Sequence, residues 1–195
     1  MTARGHRGTI FVEEAELLAQ HQYPGRQFVV RLLAPRCAAA AMPGSFAHLS
    51  CDAQLPMRRP LSIMRADARA GWIEILYKIV GPGLEALSQQ PVGTTLSVLG
   101  PIGHGFAADP TRPRTLLIGG GVGIPPMIFL AEALRSRRDT DWSTLVLMGS
   151  EMNGSKPSAS IRSILDSPTF GNPWPFCSKF EPCAPWLRER NDKAR

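Results

Sequence analysis

The sequence has little cysteine. Its four cysteines form no C-x-x-C pair and show no metal-binding spacing. This spacing excludes the common zinc and cluster motifs. We therefore expect reduced thiols and no metal site, with Cys177 and Cys183 as only a weak metal or disulfide candidate.

Long apolar runs and a strong charge imbalance are also lacking. No run approaches the ~20 residues of a membrane-spanning helix, and the first residues lead into no signal-peptide core. The net charge is +6, and the basic residues are scattered, which disfavours nucleic-acid binding. We expect a cytoplasmic protein with no membrane span and no nucleic-acid partner, whose mild positive charge favours anionic ligands such as nucleotides.

Turn-forming residues are abundant, with 18 Gly and 18 Pro. In the first hundred residues they separate short strand-like runs, a pattern typical of an antiparallel sheet or barrel. Residues 13–19 fit either a helical turn or a loop-rich strand, and helix propensity favours the helix. The small residues 38–41 are predicted to be a connection, and residues 84–88 a short helix. The predicted strands are 9–12, 27–33, 45–49, 71–80 and 94–99.

Residues 115–135 predict a buried strand, a glycine turn and a helix, and a second strand is predicted at 142–148. The apolar run 116–118 is typical of a strand covered on both faces, and Pro125 and Pro126 suit the first turn of a helix. A phosphate can approach glycine backbone closely at such a helix start. The third glycine of G-x-G-x-x-G is Ile124 here, so a purely structural turn stays open as an alternative.

A second candidate site is the segment Arg59-Pro60-Leu61-Ser62. Pro60 favours an extended Arg59, so Arg59 and Leu61 should point to one face, and Pro60 and Ser62 to the other. Arg59 is then placed to bind a phosphate, and the Ser62 hydroxyl to reach a flat polar ring. The alternative is a surface arginine beside an edge strand.

Four motifs together resemble the ferredoxin–NADP reductase superfamily, and within it the family of dihydroorotate dehydrogenase electron-transfer subunits. The resemblance covers roughly residues 8–151 and is specific because the motifs agree in order and spacing. They are Arg59-Pro60-Leu61-Ser62, Tyr77-x-x-Val80-Gly81-x-Gly83, Gly100-Pro101-Ile102-Gly103-x-Gly105-Phe106 and Gly119-Gly120-Gly121-Val122-Gly123-Ile124-x-Pro126.

The resemblance implies a β + α/β fold: an N-terminal antiparallel β-barrel that binds FAD, followed by a partial Rossmann-like parallel α/β domain. The implied domains are 1–110 for FAD, 111–151 for the start of the NAD(P)-binding domain, and 152–195 for a truncated or irregular tail. Electrons would pass from NAD(P)H through FAD to a partner protein or acceptor.

The resemblance also implies roles for individual residues. Arg59 would bind the FAD pyrophosphate, and Ser62, as the catalytic residue, would face the reactive edge of the flavin. Glu151 would accept hydrogen bonds from ribose hydroxyls of the nicotinamide nucleotide. The remaining cofactor-binding residues are Pro60, Leu61, Tyr77, Val80, Gly81 and Gly83 for FAD, and Gly119, Gly120, Gly121, Val122 and Gly123 for NAD(P)H.

The chain also departs from the family. Leu84 stands where the family usually has a threonine, and the cysteine-rich segment that binds a [2Fe–2S] cluster in the electron-transfer subunits has no counterpart. We therefore expect no iron–sulfur cluster. The 81 residues from Thr115 to Arg195 are short for a nucleotide-binding half, so we expect the tail to be truncated or replaced after about residue 151.

Three aromatic residues of that tail, Trp174, Phe176 and Trp186, either cover the exposed sheet or belong to a disordered segment. Two other functions stay open. One is a non-catalytic or decayed flavin-binding accessory subunit, and the other is a nucleotide-binding domain without flavin.

We predict that NADH is preferred to NADPH. A carboxylate at Glu151, 32 residues after Gly119, would accept ribose hydroxyls and repel a 2′-phosphate. The measurement is the rate of flavin reduction with each nucleotide at low concentration. Comparable rates would contradict the prediction.

Overall fold

Six antiparallel strands close into a barrel in the order β1-β2-β5-β4-β3-β6. The computed structural model describes residues 9–52, 54–55, 57–138 and 141–149. Helix α1 (Pro35–Ala40) lies between β2 and β3, and α2 (Pro82–Ser88) lies between β5 and β6. The barrel strands are β1 (Phe11–Tyr23), β2 (Gln27–Leu33), β3 (Phe46–Leu49), β4 (Arg59–Asp67), β5 (Trp72–Lys78) and β6 (Thr95–Ile102).

Side chains that alternate along the strands fill the barrel interior. Ile73 and Ile75 of β5 are fully buried, as are Leu32 of β2 and Val98 of β6. Each such side chain contributes about 1.5–3 kcal/mol relative to an exposed position. The barrel is therefore held mainly by an aliphatic core that all six strands share.

The residues after the barrel form a strand, a turn, a helix and a parallel strand. Strand β7 (Arg114–Gly120) leads through the 3₁₀ turn Gly121–Gly123 into helix α3 (Ile124–Ser136), and β8 (Ser143–Gly149) pairs parallel with β7. Both prolines lie in the first turn of α3, as the sequence predicts. The predicted fold class, a β-barrel followed by parallel α/β structure, is confirmed.

The helix favoured over residues 13–19 is wrong and the strand alternative is right, because these residues lie within strand β1. β1 pairs with β2 on one side and β6 on the other, and Ala15 and Leu17 are buried in the barrel. Helix propensity amounts to at most a few tenths of a kcal/mol per residue here. Two ladders of hydrogen bonds and a buried face outweigh it.

The predicted connection at residues 38–41 is also wrong in part, because α1 extends to Ala40. Pro35 lies in the first turn, where its missing N–H is not needed. The Glu13 carboxylate accepts hydrogen bonds from the backbone N–H groups of Arg36 at 2.8 Å and Cys37 at 2.6 Å. A carboxylate distant in sequence therefore supplies the helix cap.

The sequence predicts that strand β7 is covered on both faces, but in the structure the described residues cover only one face. One face packs against α3, where Leu117 and Ile128 are buried. On the other face Leu116 and Ile118 are 54% and 67% exposed. The apolar run therefore predicts the strand correctly but not its surroundings.

No helix in the described ranges is both long and apolar enough to cross a bilayer. The longest, α3, has 13 residues, which corresponds to ~20 Å against a hydrocarbon core of ~30 Å.

We predict that Gly119→Ala destabilises the β7–α3 region by about 1–3 kcal/mol. A Cβ at Gly119 would lie 3.0 Å from the Gly123 carbonyl oxygen and 3.2 Å from the Ile124 Cα, and backbone atoms move only at a cost. Urea unfolding of both variants measures the effect, with Gly123→Ala as control because its Cβ meets nothing within 4 Å. Equal midpoints for the two variants would contradict the steric argument.

Candidate functional site

The Arg59 guanidinium lies directly over Gly83, at the start of α2. A Cβ at Gly83 would be 2.5 Å from Arg59 Nε and 2.8 Å from Nη2, so only glycine leaves room for this arrangement. Arg59 donates one hydrogen bond, to the Met57 carbonyl oxygen at 2.8 Å. It forms no ion pair with a carboxylate in the part of the chain that the structure describes. Its charge is therefore available to an anion.

A partly buried hydrogen-bond network holds α2 next to the barrel. Tyr77 is 4% exposed, stacks on Phe28 and donates its hydroxyl to Gln20 Oε1 at 3.0 Å. Gln20 Nε2 donates to the Leu87 and Ser88 carbonyls at the end of α2. Burial raises the pKa of the Tyr77 phenol above its ordinary value, so the hydroxyl stays protonated and continues to donate. Tyr77 thus helps to hold α2, through Gln20, against the barrel.

Two further predicted residues near α2 are open to solvent. Val80 is 81% exposed, and a Cβ at Gly81 would meet nothing within 4 Å. Gly81 is extended, with φ of −179°, and precedes the first turn of α2. The structure therefore places Arg59 against Gly83, two residues after Gly81, and leaves the Cβ side of Gly81 open.

A cavity of about 320 Å³ lies at the other end of the Arg59–Ser62 segment. Pro60 and Ser62 both line it, as the predicted alternation requires, and Pro126 of α3 contributes to its wall. Leu61 packs instead against the barrel core. The remaining lining residues are Gly44, Phe46 and Phe106.

Four of the cavity residues, Gly44, Phe46, Phe106 and Pro126, are not among the predicted site residues. Phe46 reaches the cavity because β3 pairs with β4 in a register that places Phe46 opposite Ser62. Phe106 packs over Gly44, which has φ of +98° and no room for a Cβ. The turn glycines around Phe106 were a signal that it is held in place, but the register that brings Phe46 to Ser62 is a tertiary property.

The glycine turn has one crowded position and several open ones. A Cβ at Gly119 would lie 3.0 Å from the Gly123 carbonyl oxygen and 3.2 Å from the Ile124 Cα, whereas Gly121 has φ of +52° and a Cβ there would meet nothing within 4 Å. Val122 is 89% exposed. The turn therefore presents exposed backbone at the amino end of α3, which suits the approach of a phosphate. Glu151, the remaining predicted ligand, lies outside the described residues.

The described cysteines are free and inert. Cys37 and Cys51 are fully buried. Burial raises the pKa of Cys37 to about 12 and that of Cys51 to about 11, although the Arg59 charge opposes the shift at Cys51. Neither thiol forms appreciable thiolate near neutral pH. Across the described ranges, no group of three or more His, Cys, Asp or Glu is placed to hold a metal.

Comparison with known proteins gives a consistent result. No protein-family profile matches the chain. The electron transfer subunit of dihydroorotate dehydrogenase B (NAD(+)) from Geobacillus thermodenitrificans is 37% identical over 129 residues, which is 64% of this chain and 50% of that protein. The chain thus spans about half the length of the relatives it matches.

Solved structures agree. The ferredoxin reductase in carbazole 1,9a-dioxygenase has a TM-score of 0.63 at 29% identity, over 73% of this chain and 43% of that one. The FAD apo form of the same reductase has a TM-score of 0.59 at 28% identity, over 73% of this chain and 45% of that one. An NADH-dependent reduced ferredoxin–NADP oxidoreductase has a TM-score of 0.64 at 24% identity, over 72% of this chain and 49% of that one. At this identity the likeness shows only that the two folds are similar. The resemblance to the ferredoxin–NADP reductase superfamily is confirmed.

We predict that Gly83→Ala weakens FAD binding about as much as Arg59→Ala. The added methyl displaces the guanidinium, and a charge-assisted phosphate contact is worth ~1.5–3 kcal/mol, so the dissociation constant should rise roughly tenfold or more. Flavin titration measures it, and the double variant should be no worse than either single one. Gly149→Ala, whose Cβ meets nothing within 4 Å, is the control.

Unchanged flavin affinity in Arg59→Ala would exclude Arg59 as a phosphate ligand. Additive losses in the double variant would show that Gly83 and Arg59 act separately.

Proposed function

We propose that this chain is an FAD-dependent oxidoreductase that passes electrons from NAD(P)H through FAD to a partner protein. The observation that carries the proposal is the Arg59 guanidinium, which is held over Gly83 and has no carboxylate partner among the described residues. Pro60 and Ser62 of the same strand line the cavity to which Pro126 also contributes. A charged site and an apolar cavity on one strand suit a ligand with a pyrophosphate and a flat ring.

The described residues fit FAD on the evidence of their own geometry. Arg59 lacks a carboxylate partner among them. Gly83 has no Cβ, and a Cβ at this position would displace the guanidinium. The hydrocarbon and aromatic groups of Pro60 and Phe46 line the cavity, as expected where a ring is buried. Arg59, Gly81 and Gly83 would hold the pyrophosphate end, and Ser62 would face the ring.

When bound, FAD supplies the hydride-accepting chemistry, and this chain supplies binding and alignment. The half-buried Ser62 hydroxyl can donate one hydrogen bond to a ring atom. Pro126 forms part of the cavity wall on the side of α3, so the helix that follows the glycine turn also borders the proposed flavin site. The protein's part is to fix the separation and orientation of two rings.

The nicotinamide nucleotide is proposed to bind at Gly119 to Gly123, with Glu151 favouring NADH. Open backbone at Gly121 and Gly123, beside the start of α3, supports this assignment. The domain limits at 110 and 151, a cytoplasmic location, a protein electron acceptor and the lack of an iron–sulfur cluster belong to the same proposal. The name of the Geobacillus relative, an electron transfer subunit, supports a protein partner.

One observation favours the alternative, a flavin-binding accessory subunit without NADH turnover. Leu145 and Leu147 of β8 are 50% and 46% exposed, on the same side of the sheet as Leu116 and Ile118. A nucleotide-binding sheet usually carries helices on both faces. A chain with this face uncovered would bind flavin through the barrel yet hold NADH weakly.

The deciding experiment is the absorbance spectrum of the purified protein, followed by anaerobic addition of NADH. We expect a bound flavin that NADH bleaches, and iron and sulfide analysis without a stoichiometric cluster. Bound flavin that NADH leaves oxidised would favour the accessory subunit. The absence of flavin after reconstitution would contradict both.

In the same assay, we predict that Ser62→Ala keeps FAD bound but slows flavin reduction. Loss of one hydrogen bond of ~0.5–1.5 kcal/mol corresponds to a rate decrease of about two- to tenfold. Ser136→Ala, at the exposed end of α3, is the matched control. A parent-like rate in Ser62→Ala would remove its catalytic role.

A further inference from the structure

A chain of ion pairs links the barrel to helix α3. Glu74 of β5, only 1% exposed, accepts hydrogen bonds from Arg31 at 2.6 and 2.9 Å, and its other oxygen lies 3.4 Å from Arg65 Nη1. Arg65 of β4 donates its Nε to Glu132 Oε1 of α3 at 2.7 Å. Arg65 therefore connects a fixed barrel carboxylate with a carboxylate on the helix.

A break in the strand pairing places Arg65 on this side of the barrel wall. Along β4 and β5, Ile63 pairs with Ile75 and Arg65 with Glu74, so β4 carries one extra residue at Met64. Ile63 faces the core, and regular alternation would send Arg65 there too. The bulge instead turns Arg65 to the outer face, the side on which Ser62 lies, where α3 packs along β4.

The Arg65–Glu132 pair lies at a matching distance from the cavity on both elements. Ser62 and Pro126 line the same cavity. Pro126 and Glu132 are six residues apart on the helix, about 9 Å, whereas Ser62 and Arg65 are three residues apart on the strand, about 10 Å. These lengths match and α3 packs against β4, so the two elements run side by side and the ion pair sets their register. Sliding along the strand would break the ion pair.

The Arg65–Glu132 ion pair lies in a largely buried environment with fixed neighbours. Arg65 is 9% exposed, and burial raises the pKa of Glu132 while the Arg65 charge opposes that shift. Arg31 is itself held over the Trp72 ring at 4.3 Å, so Glu74 is a rigid anchor. The turn Gly121–Gly123 leads directly into α3 at Ile124, and a Cβ at Gly119 would lie only 3.0 Å from the Gly123 carbonyl oxygen, so a shift of α3 carries the glycine turn with it.

We propose that Arg65 and Glu132 are positioning residues that set the register of α3, and with it the glycine turn, against Ser62. This inference rests on the proposed function, since the alignment matters for electron transfer only if a nucleotide at the turn must meet a flavin at Ser62. Neither residue touches the reacting groups. Their effect is on the distance between the rings, where a shift of ~1 Å can cost a hundredfold in rate.

The test compares Glu132→Ala, Glu132→Gln and the full-length parent. Alanine removes the contact without lowering helix propensity, and glutamine keeps an oxygen that accepts from Arg65. Asp109→Asn, which alters an exposed ion pair with Arg112, is the control. In the flavin-free proteins, hydrogen exchange of residues 124–136 should be about tenfold faster in Glu132→Ala, partly restored in Glu132→Gln, and unchanged in β2 and β5.

In the FAD-loaded proteins, Glu132→Ala should bind FAD within about twofold of the parent, because Arg59 and Gly83 are untouched. Flavin reduction at saturating NADH should fall about ten- to a hundredfold, with Glu132→Gln between the two. Parent-like exchange in α3, or parent-like reduction despite faster exchange, would overturn the proposal. If NADH does not reduce the flavin of the parent protein, the proposed function is wrong, and so is the catalytic part of this inference. The hydrogen-exchange result still decides whether the Arg65–Glu132 pair holds α3.

Discussion

The pairing of β4 with its two neighbours is the constraint on which the candidate site depends. β3 fixes Ser62 opposite Phe46, and β5 fixes Arg65 opposite Glu74. Because side chains alternate along a strand, one irregularity between Ile63 and Arg65 decides which residues face the core. The strand therefore buries Ile63 in the core while it directs both Ser62 and Arg65 outward.

Charge is distributed unevenly along this strand. Arg65 is neutralised twice, by Glu74 and Glu132, and serves packing. Arg59, six residues earlier, has only the Met57 carbonyl among the described residues. Two arginines on one strand thus differ in their surroundings, because one has carboxylate neighbours and the other has a glycine, Gly83. The availability of Arg59 follows from the residues that surround it.

The sequence predicts those features that depend on neighbouring residues. Pro60 restricts Arg59 and thereby defines which side chains share a face, and Pro125 and Pro126 mark the start of α3. The prediction fails where residues distant in sequence determine the local structure. β1 is a strand because β2 and β6 pair with it, and α1 forms partly because Glu13 of β1 caps its first turn. The cavity unites Phe46, Ser62 and Pro126, whose proximity no local pattern encodes.

The barrel's connectivity also limits when the fold can be completed. Its closing seam joins β1 to β6, with Phe11 paired to Gly100, 89 residues later. A growing chain cannot close this ring until β6 has left the ribosome, so until then both seam strands present unpaired backbone groups. Such distant pairing slows folding because the loop must be closed before the contacts form. By contrast, β7, α3 and β8 need only their own 36 residues, Arg114–Gly149. The part of the chain assigned to the flavin is therefore the part that must wait longest to acquire its shape.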